Sequence, residues 1–545
     1  MSRFMALRRP IKPPAWLARA GLALALACAH TAAALAQEAR LGAIASAHPL
    51  ATQAGFEILQ AGGNAVDAAV AVSAALAVVE PTSSGLGGGA FFLLALSDGR
   101  EVFVDARETA PAAATPDMYR RPDGQVRREA SLDGPLAAAI PGQPAGLVHL
   151  AERYGRLPLA RSLAPAIRLA RDGFVPDAHH LLMAKLRVAA LQASPAASAI
   201  FLADGAPPPA GRPLVQSDLA VVLERLAGEG HAGFYAGPTA AALVDGTRAA
   251  GGIWTLADLA GYAAVEREPL RGHYRGLDIL TAPPPSAGGV GLLTALNVLD
   301  GFALADAAPV ARIHLVAEAL RRAYRDRLAY LGDPDFVDIP TARLTSPDYG
   351  AGLRAGIRAD RATPSALLPG APAGTEGTDT THFSVVDAAG NSVAATLSIN
   401  IPFGSGFVPP GTGVLLNDEM DDFASAVGAS NTYGLVGAQP NLIQPRKRPL
   451  SSMTPTVVRR GSETAVLGTP GGSRIVSMVL LGVLGVAEAP GAPQDWVARP
   501  RFHHQFLPDE IQYEPGTLSE AMQAELGALG HRLKDVGRPY GNMQA

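Results

Sequence analysis

The sequence predicts an α+β protein in which a helix-rich first part gives way to a β-rich second part. Three observations predict it. From Pro144 to Leu331 the pattern is mostly helical, with Pro/Gly breaks near 207–213 and 283–289. Beyond residue 380 strand-like runs appear, His382 to Val386 and Ser392 to Ile399, joined around a Gly390-Asn391 turn as a hairpin. Between the two parts, residues 359–379 read ADRATPSALLPGAPAGTEGTD, rich in breakers and poor in apolar periodicity, which is expected of a mobile linker. With 545 residues, 48% hydrophobic and 17% charged, the chain has a large core, in one big domain or two to three smaller ones.

The first 36 residues stand apart. Arg3, Arg8, Arg9, Lys12 and Arg19 precede a short apolar run from Leu22 to Ala36 that ends in Ala34-Leu35-Ala36. A basic region, an apolar stretch and an A-x-A site form a secretory signal with cleavage expected before Gln37. A membrane anchor is the weaker alternative, because the run is short and rich in Ala. The leader holds five of the 45 basic residues and no acid, which leaves 40 against 49 acidic residues, a net charge of −9. That balance argues against a nucleic-acid partner. The one cysteine, Cys28, also lies in the leader, so disulfides and thiol catalysis are excluded from the mature protein. No later segment is apolar enough to predict stable membrane insertion.

Taken in order, Asn64 is a plausible cap for an Ala/Val-rich buried helix running to about Val79. Pro81 to Gly89 is Gly-rich but lacks any Gly-Lys pair, so it predicts a tight turn with close backbone approach rather than a phosphate loop. Ala90 to Leu96 follows as a buried strand. Ile313 to Leu331 is a helix with Ile313, Val316, Leu320, Tyr324 and Leu328 on one stripe. Val414 to Asn417 and Thr464 to Gly468 are expected as further strands. His503 and His504 are adjacent and expected on opposite faces of a strand, hence structural. His179 and His180 are assigned no function.

Thr380 and Thr381 stand where the linker meets the hairpin. A threonine hydroxyl is a poor nucleophile without a base beside it. Cutting the chain before Thr380 would free its α-amine, of pKa about 7.7–8.0, to be that base. The cut can be autocatalytic, with the hydroxyl attacking the Asp379 carbonyl and water releasing the two chains from the resulting ester. No G-x-S-x-G elbow offers a rival nucleophile.

These segments together carry a resemblance. TTHFSVVD, LNDEMDDF, RPLSSMTPT and GTPGGSRI, with GGNAVDAAVA, EPTSSGLGGGAFF, DARETAP, IPGQPAG and PPPSAGGVGLL upstream, resemble the γ-glutamyltranspeptidase family of N-terminal-nucleophile hydrolases. The resemblance implies a four-layer αββα sandwich, matured into a large chain (37–379) and a small catalytic chain (380–545). Thr380 would be the nucleophile, with Ser398 in TLSIN where the family has a second threonine. Gly471 and Gly472 would offer backbone N–H groups as the oxyanion hole, each such donor worth roughly 3–4 kcal/mol. Arg107, Ser451 and Ser452 would hold an α-carboxylate, and Glu419, Asp422 and Asn400 an α-ammonium. Tyr433 would be the aromatic of a lid running from Asp422 to Pro440. The family continues beyond the match to Gly537–Ala545 into a further strand, so the small chain is expected to be truncated at its C-terminus.

The implied reaction is cleavage of glutathione and other γ-glutamyl amides through a γ-glutamyl-threonine ester, with transfer to water, amino acids or peptides. No metal or cofactor is implied, and the leader predicts a periplasmic or secreted location. The rival enzyme reading is a glutaryl-cephalosporin acylase, which the ammonium-binding set argues against. An inactive relative that only binds amino acids in the periplasm is the rival outside enzymes, and it would not split into two chains.

Overall fold

The computed structural model describes residues 41–368, 380–488 and 492–545. The expected leader lies outside these residues, as do 369–379 of the linker, Asp379 included. Two antiparallel sheets form the centre. The larger is ordered β1 (Gly42–Ser46), β7 (Thr381–Asp387), β8 (Ser392–Ser398), β2 (Gly89–Ala95), β3 (Glu101–Ala106), β4 (Val265–Arg267). The smaller is ordered β10 (Glu463–Leu467), β9 (Thr456–Arg460), β6 (Leu277–Thr281), β5 (Leu270–Tyr274).

Strand periodicity sorts the side chains between two cores. Phe92, Leu94, Phe383, Val385, Val393 and Leu397 pack with the Ala65–Val79 helix. Phe91, Leu93 and Ala394 meet Ile279, Val458 and Val466 of the smaller sheet, and the helices Gly288–Leu299, Pro309–Tyr330 and Ile475–Glu488 complete that second core. Helix, sheet, sheet, helix is the αββα sandwich that the resemblance implies. Strands β7, β8 and β2 are buried on both faces, which accounts for their continuous apolar runs.

The Ala65–Val79 helix is apolar on every side, and all fifteen of its residues are buried. Asn64 caps it in a capping box with Asp67. Asp67 is buried but satisfied, since its carboxylate accepts from Asn64, Arg156 and Leu157 N–H groups. At the same helix end Asp387, the last residue of β7, accepts the Ala65 N–H at 2.9 Å and the Asn391 side chain at 2.7 Å. A carboxylate at a helix N-terminus is favourable, and here it ties the hairpin to the helix.

The structure departs from the sequence reading in three places. Val414 to Asn417 is irregular, with a single bridge from Gly87 to Leu416. The Asn417 side chain satisfies the Gly87 and Ala139 carbonyls that a strand would otherwise pair. Strands β4 to β6 lie inside the span read as helical: β4 and β5 carry exposed Glu266, Arg271 and His273 and lack an apolar run, and the buried β6 is only five residues long. The first ten linker residues are pinned rather than loose. Thr363 donates its N–H and hydroxyl to the buried Glu318, and Ser365 donates its N–H to Asp509 at 2.7 Å.

Candidate active site

Thr380 immediately precedes β7 and is 5% exposed. Thr381 pairs with Leu397, so the next step of that register brings Thr380 opposite Ser398, which also pairs with Gly89 on the far side. The Gly-rich turn makes this approach possible. A Cβ at Gly88 would lie 2.1 Å from the Ser398 carbonyl oxygen, and one at Gly87 2.0 Å from that of Leu415. Both positions therefore require glycine, and the turn brings backbone close as predicted.

Beyond β8 the chain turns at Asn400, a non-glycine residue with φ of 77°. Its N–H donates to the Ser398 hydroxyl at 2.8 Å, and its side-chain amide donates to Asp418 at 3.0 Å. Burial holds Asp418 well above the usual carboxylate range. The Asn400 carbonyl accepts the Tyr433 hydroxyl at 2.7 Å.

Arg107 is 1% exposed and faces three carboxyls. It lies 2.5 Å from Asp422, 2.9 Å from Glu419 and 3.5 Å from Glu108. Its Nε donates to the Pro449 carbonyl at 3.2 Å, which brings Arg107 against the segment carrying Ser451 and Ser452. Burial alone would lower Arg107, but Glu419, Glu108 and Asp422 outweigh it and raise the guanidinium. Burial pushes Glu419 well above its ordinary range and Glu108 to about 7, with Arg107 pulling both back. The Glu419 carboxyl makes no hydrogen bond of good geometry, so the contact with Arg107 is a bare ion pair. Glu108 sits beside Arg107 in DARETAP, but the sequence reading assigns it no role. Both follow β3, past the strand alternation that would have separated them.

Gly471 and Gly472 have φ of 135° and 55° and open a short turn into the N-terminus of the Ile475–Glu488 helix. The helix dipole at that end favours negative charge. The Tyr433 ring lies directly on Gly472, where a Cβ would fall 2.3 Å from Cε1. Tyr433 belongs to the segment read as a lid, and Asp421 and Asp422 anchor that segment. Asp421 accepts the Thr432 N–H at 2.8 Å and the Ser131 hydroxyl at 2.8 Å, and Asp422 accepts from Asn431 at 3.2 Å. Arg128 reaches the Ser430 carbonyl from outside.

On its other side Thr380 lines a cavity of about 540 Å³ with Gly471, Glu80, His48, Asp177, His179 and His180 among its walls. The sequence reading gave the two histidines no function, and nothing in their spacing signalled this location. His503 and His504 are both buried, but only His503 lies in a strand, Phe502–His503, where both were expected. His503 bonds Ser477 at 2.5 Å and Gln505 at 2.8 Å, and His504 meets Asp509 at 3.3 Å.

A family model described as Gamma-glutamyltranspeptidase matches residues 51–545. The glutathione hydrolase proenzyme of Pseudomonas sp. (strain A14) is 43% identical over 524 residues, covering 94% of this chain and 91% of that protein. The glutathione hydrolase proenzyme of Escherichia coli (strain K12) is 43% identical over 514 residues, covering 91% and 86%. Among solved structures, the cephalosporin acylase from Bacillus halodurans superposes with a TM-score of 0.80 at 27% identity, over 92% of this chain and 91% of that one. A match across nearly the whole described chain, on the same sandwich, decides the question: the chain belongs to the γ-glutamyltranspeptidase family.

Proposed function

We infer that this chain is a γ-glutamyl hydrolase and transpeptidase, acting on glutathione and other γ-glutamyl amides. The observation that carries the reading is the buried contact of Arg107 with Asp422 and Glu419. A zwitterionic α-amino-acid head group has the complementary charges. Its carboxylate takes over the Arg107 guanidinium, in the bidentate geometry that arginine favours, while its ammonium takes over Asp422. Binding thus exchanges one internal ion pair for two pairs with substrate. Asn400, Ser451 and Ser452 complete the head-group set.

Thr380 is the nucleophile of this reading, with its α-amine as base once the Asp379–Thr380 bond is cut. Its hydroxyl attacks the γ-glutamyl carbonyl, the amine leaves, and a γ-glutamyl-threonine ester remains. Gly471 and Gly472 N–H groups stabilise the developing oxyanion, Ser398 orients Thr380, and Tyr433 closes over the acyl group. Water or an acceptor amino acid or peptide then takes the acyl group. The large and small chains of one precursor stay together as a heterodimer. The leader supports a periplasmic or secreted location, and among the described residues no helix is long and apolar enough to cross a membrane.

The structural likeness to a cephalosporin acylase favours a second reading, a glutaryl acylase. A glutaryl group has no ammonium, which would leave Asp422 and Glu419 without a role. Incubation with glutathione, with and without glycylglycine, and in parallel with a glutaryl amide, tests both. Release of glutamate, a γ-glutamyl dipeptide formed only with the acceptor, and slow glutaryl turnover are expected. Faster glutaryl than γ-glutamyl turnover would overturn the reading.

A further inference from the structure

Self-cleavage, on which the proposed function rests, needs a base that the uncut chain does not yet have, because the future α-amine of Thr380 is still an amide nitrogen. Glu80, on the wall of the cavity that Thr380 lines, is the candidate. It caps the C-terminal end of the Ala65–Val79 helix, its N–H donating to the Leu76 carbonyl at 2.8 Å. Thr381, Phe383 and Val385 share the β7 face, and Phe383 and Val385 pack with that helix, which turns Thr381 toward it as well. Glu80 and Thr380 line the same cavity. The Glu80 Oε2 is closed off from solvent and makes no hydrogen bond of good geometry, and neither does the buried Thr381 hydroxyl. That hydroxyl is close enough to act on the Glu80 carboxyl, yet does not meet hydrogen-bond geometry. A buried carboxyl oxygen without a hydrogen bond of good geometry, on the wall of the cavity that Thr380 lines, has no evident structural purpose.

We propose that Glu80 is the proton acceptor for cleavage of the Asp379–Thr380 bond, taking the Thr380 hydroxyl proton across the cavity directly or through one water. The Thr380 oxygen then bonds to the Asp379 carbonyl carbon. The C–N bond breaks, and the departing Thr380 nitrogen receives the proton back from Glu80. Water hydrolyses the ester, returning the Thr380 hydroxyl and leaving a carboxylate on Asp379. Burial pushes Glu80 up to about 7, with Asp177 raising it further and the Thr381 and Ser83 hydroxyls drawing it down. The other titratable or charged groups on the cavity wall are His48, His179, His180, Arg187 and Arg538. Burial lowers His48 and takes His180 to about 4.

The test follows conversion of freshly refolded full-length chain into two chains by intact mass, from pH 5.5 to 8.5. The parent rate is expected to rise through pH 7 and level off, as the carboxylate form accumulates. Glu80→Gln should slow conversion by about 10²-fold and abolish that step. Glu80→Asp should keep a slower, pH-dependent conversion, and His179→Gln should keep the parent profile. A flat parent profile, or a Glu80→Gln chain converting within threefold of the parent with the same profile, would overturn the proposal. Thr380→Ala run alongside separates the two readings. If it splits at the same bond, the threonine reading itself fails. If it stays whole while Glu80→Gln converts normally, only the role of Glu80 fails.

Discussion

Gly472→Ala probes the contact between Tyr433 and the start of the Ile475–Glu488 helix. The backbone there has φ of 55°, so a side chain costs about 1 kcal/mol in strain. The added methyl also falls 2.3 Å from Tyr433 Cε1 and 2.4 Å from Cδ1. Ordinary carbon contact is about 3.5 Å, so the ring must retreat by about 1 Å. It cannot do so and keep the 2.7 Å bond to the Asn400 carbonyl, worth about 1 kcal/mol, or its seat in the core. Overpacking adds about 1–3 kcal/mol. On the role proposed for Tyr433, displacement by that much at a reaction centre costs on the order of 10²-fold in kcat/KM. The assay is a double-mutant cycle with Tyr433→Ala, using hydrolysis of a γ-glutamyl anilide and denaturant midpoints. Gly472→Ala should be costly alone and cost only the backbone strain once the ring is gone. Equal losses in both backgrounds, or a single variant within twofold of the parent, would refute the reasoning.

Thr380→Ala is expected to accumulate as an inactive single chain, whereas Thr380→Ser keeps some conversion because a hydroxyl remains; a denaturing gel reads both. Arg107→Lys should chiefly raise KM for γ-glutamyl donors, since the bidentate contact serves ground and transition states alike, and steady-state kinetics would show a lowered kcat at unchanged KM if this is wrong. Asp422→Asn should weaken donors with a free α-ammonium far more than glutaryl analogues, and equal losses would remove Asp422 from the ammonium. Burial takes His382 to about 3 and His504 to about 4, so below the ordinary value of 6.5 the unfolded chain binds protons that the folded chain refuses. Their contribution to stability is whole above pH 6.5 and is lost as pH falls toward 4, by about 1.4 kcal/mol per pH unit for each. Buried Glu108, Glu80 and Asp421, with raised values, act in the opposite sense. The histidine effect is therefore read as a difference: His382→Gln should flatten the acid loss of the urea midpoint relative to the parent, and parallel curves would contradict it.

Much of the fold was legible in the sequence because local chemistry and tertiary fate agree there. Asn64 caps its helix in the structure as its position before an Ala/Val run predicts, and β2, β7 and β8 are the apolar runs read as strands. Strands β4 to β6 were not legible: β4 and β5 are half-exposed edge strands with Arg and His, and β6, buried inside its sheet, is too short for a period to show. The 414–417 segment misled for the converse reason: it is apolar, but an asparagine side chain satisfies the backbone that a strand would have paired.

The sequence by itself determined the order of the motifs, the threonine pair after a breaker-rich stretch, and the residue types that the resemblance assigns to a zwitterionic head group. Each of these is a matter of covalent neighbours. Only the tertiary structure decided that Arg107 meets Asp422 across 315 residues, that Tyr433 rests on Gly472, and that Glu80 shares a cavity with Thr380. Proton affinities belong to the same class. Glu80 and Glu108 are ordinary glutamates in the sequence, and each is shifted because packing from distant segments strips away its water. Desolvation and charge contact depend on separation in space, and a sequence records separation only along the chain.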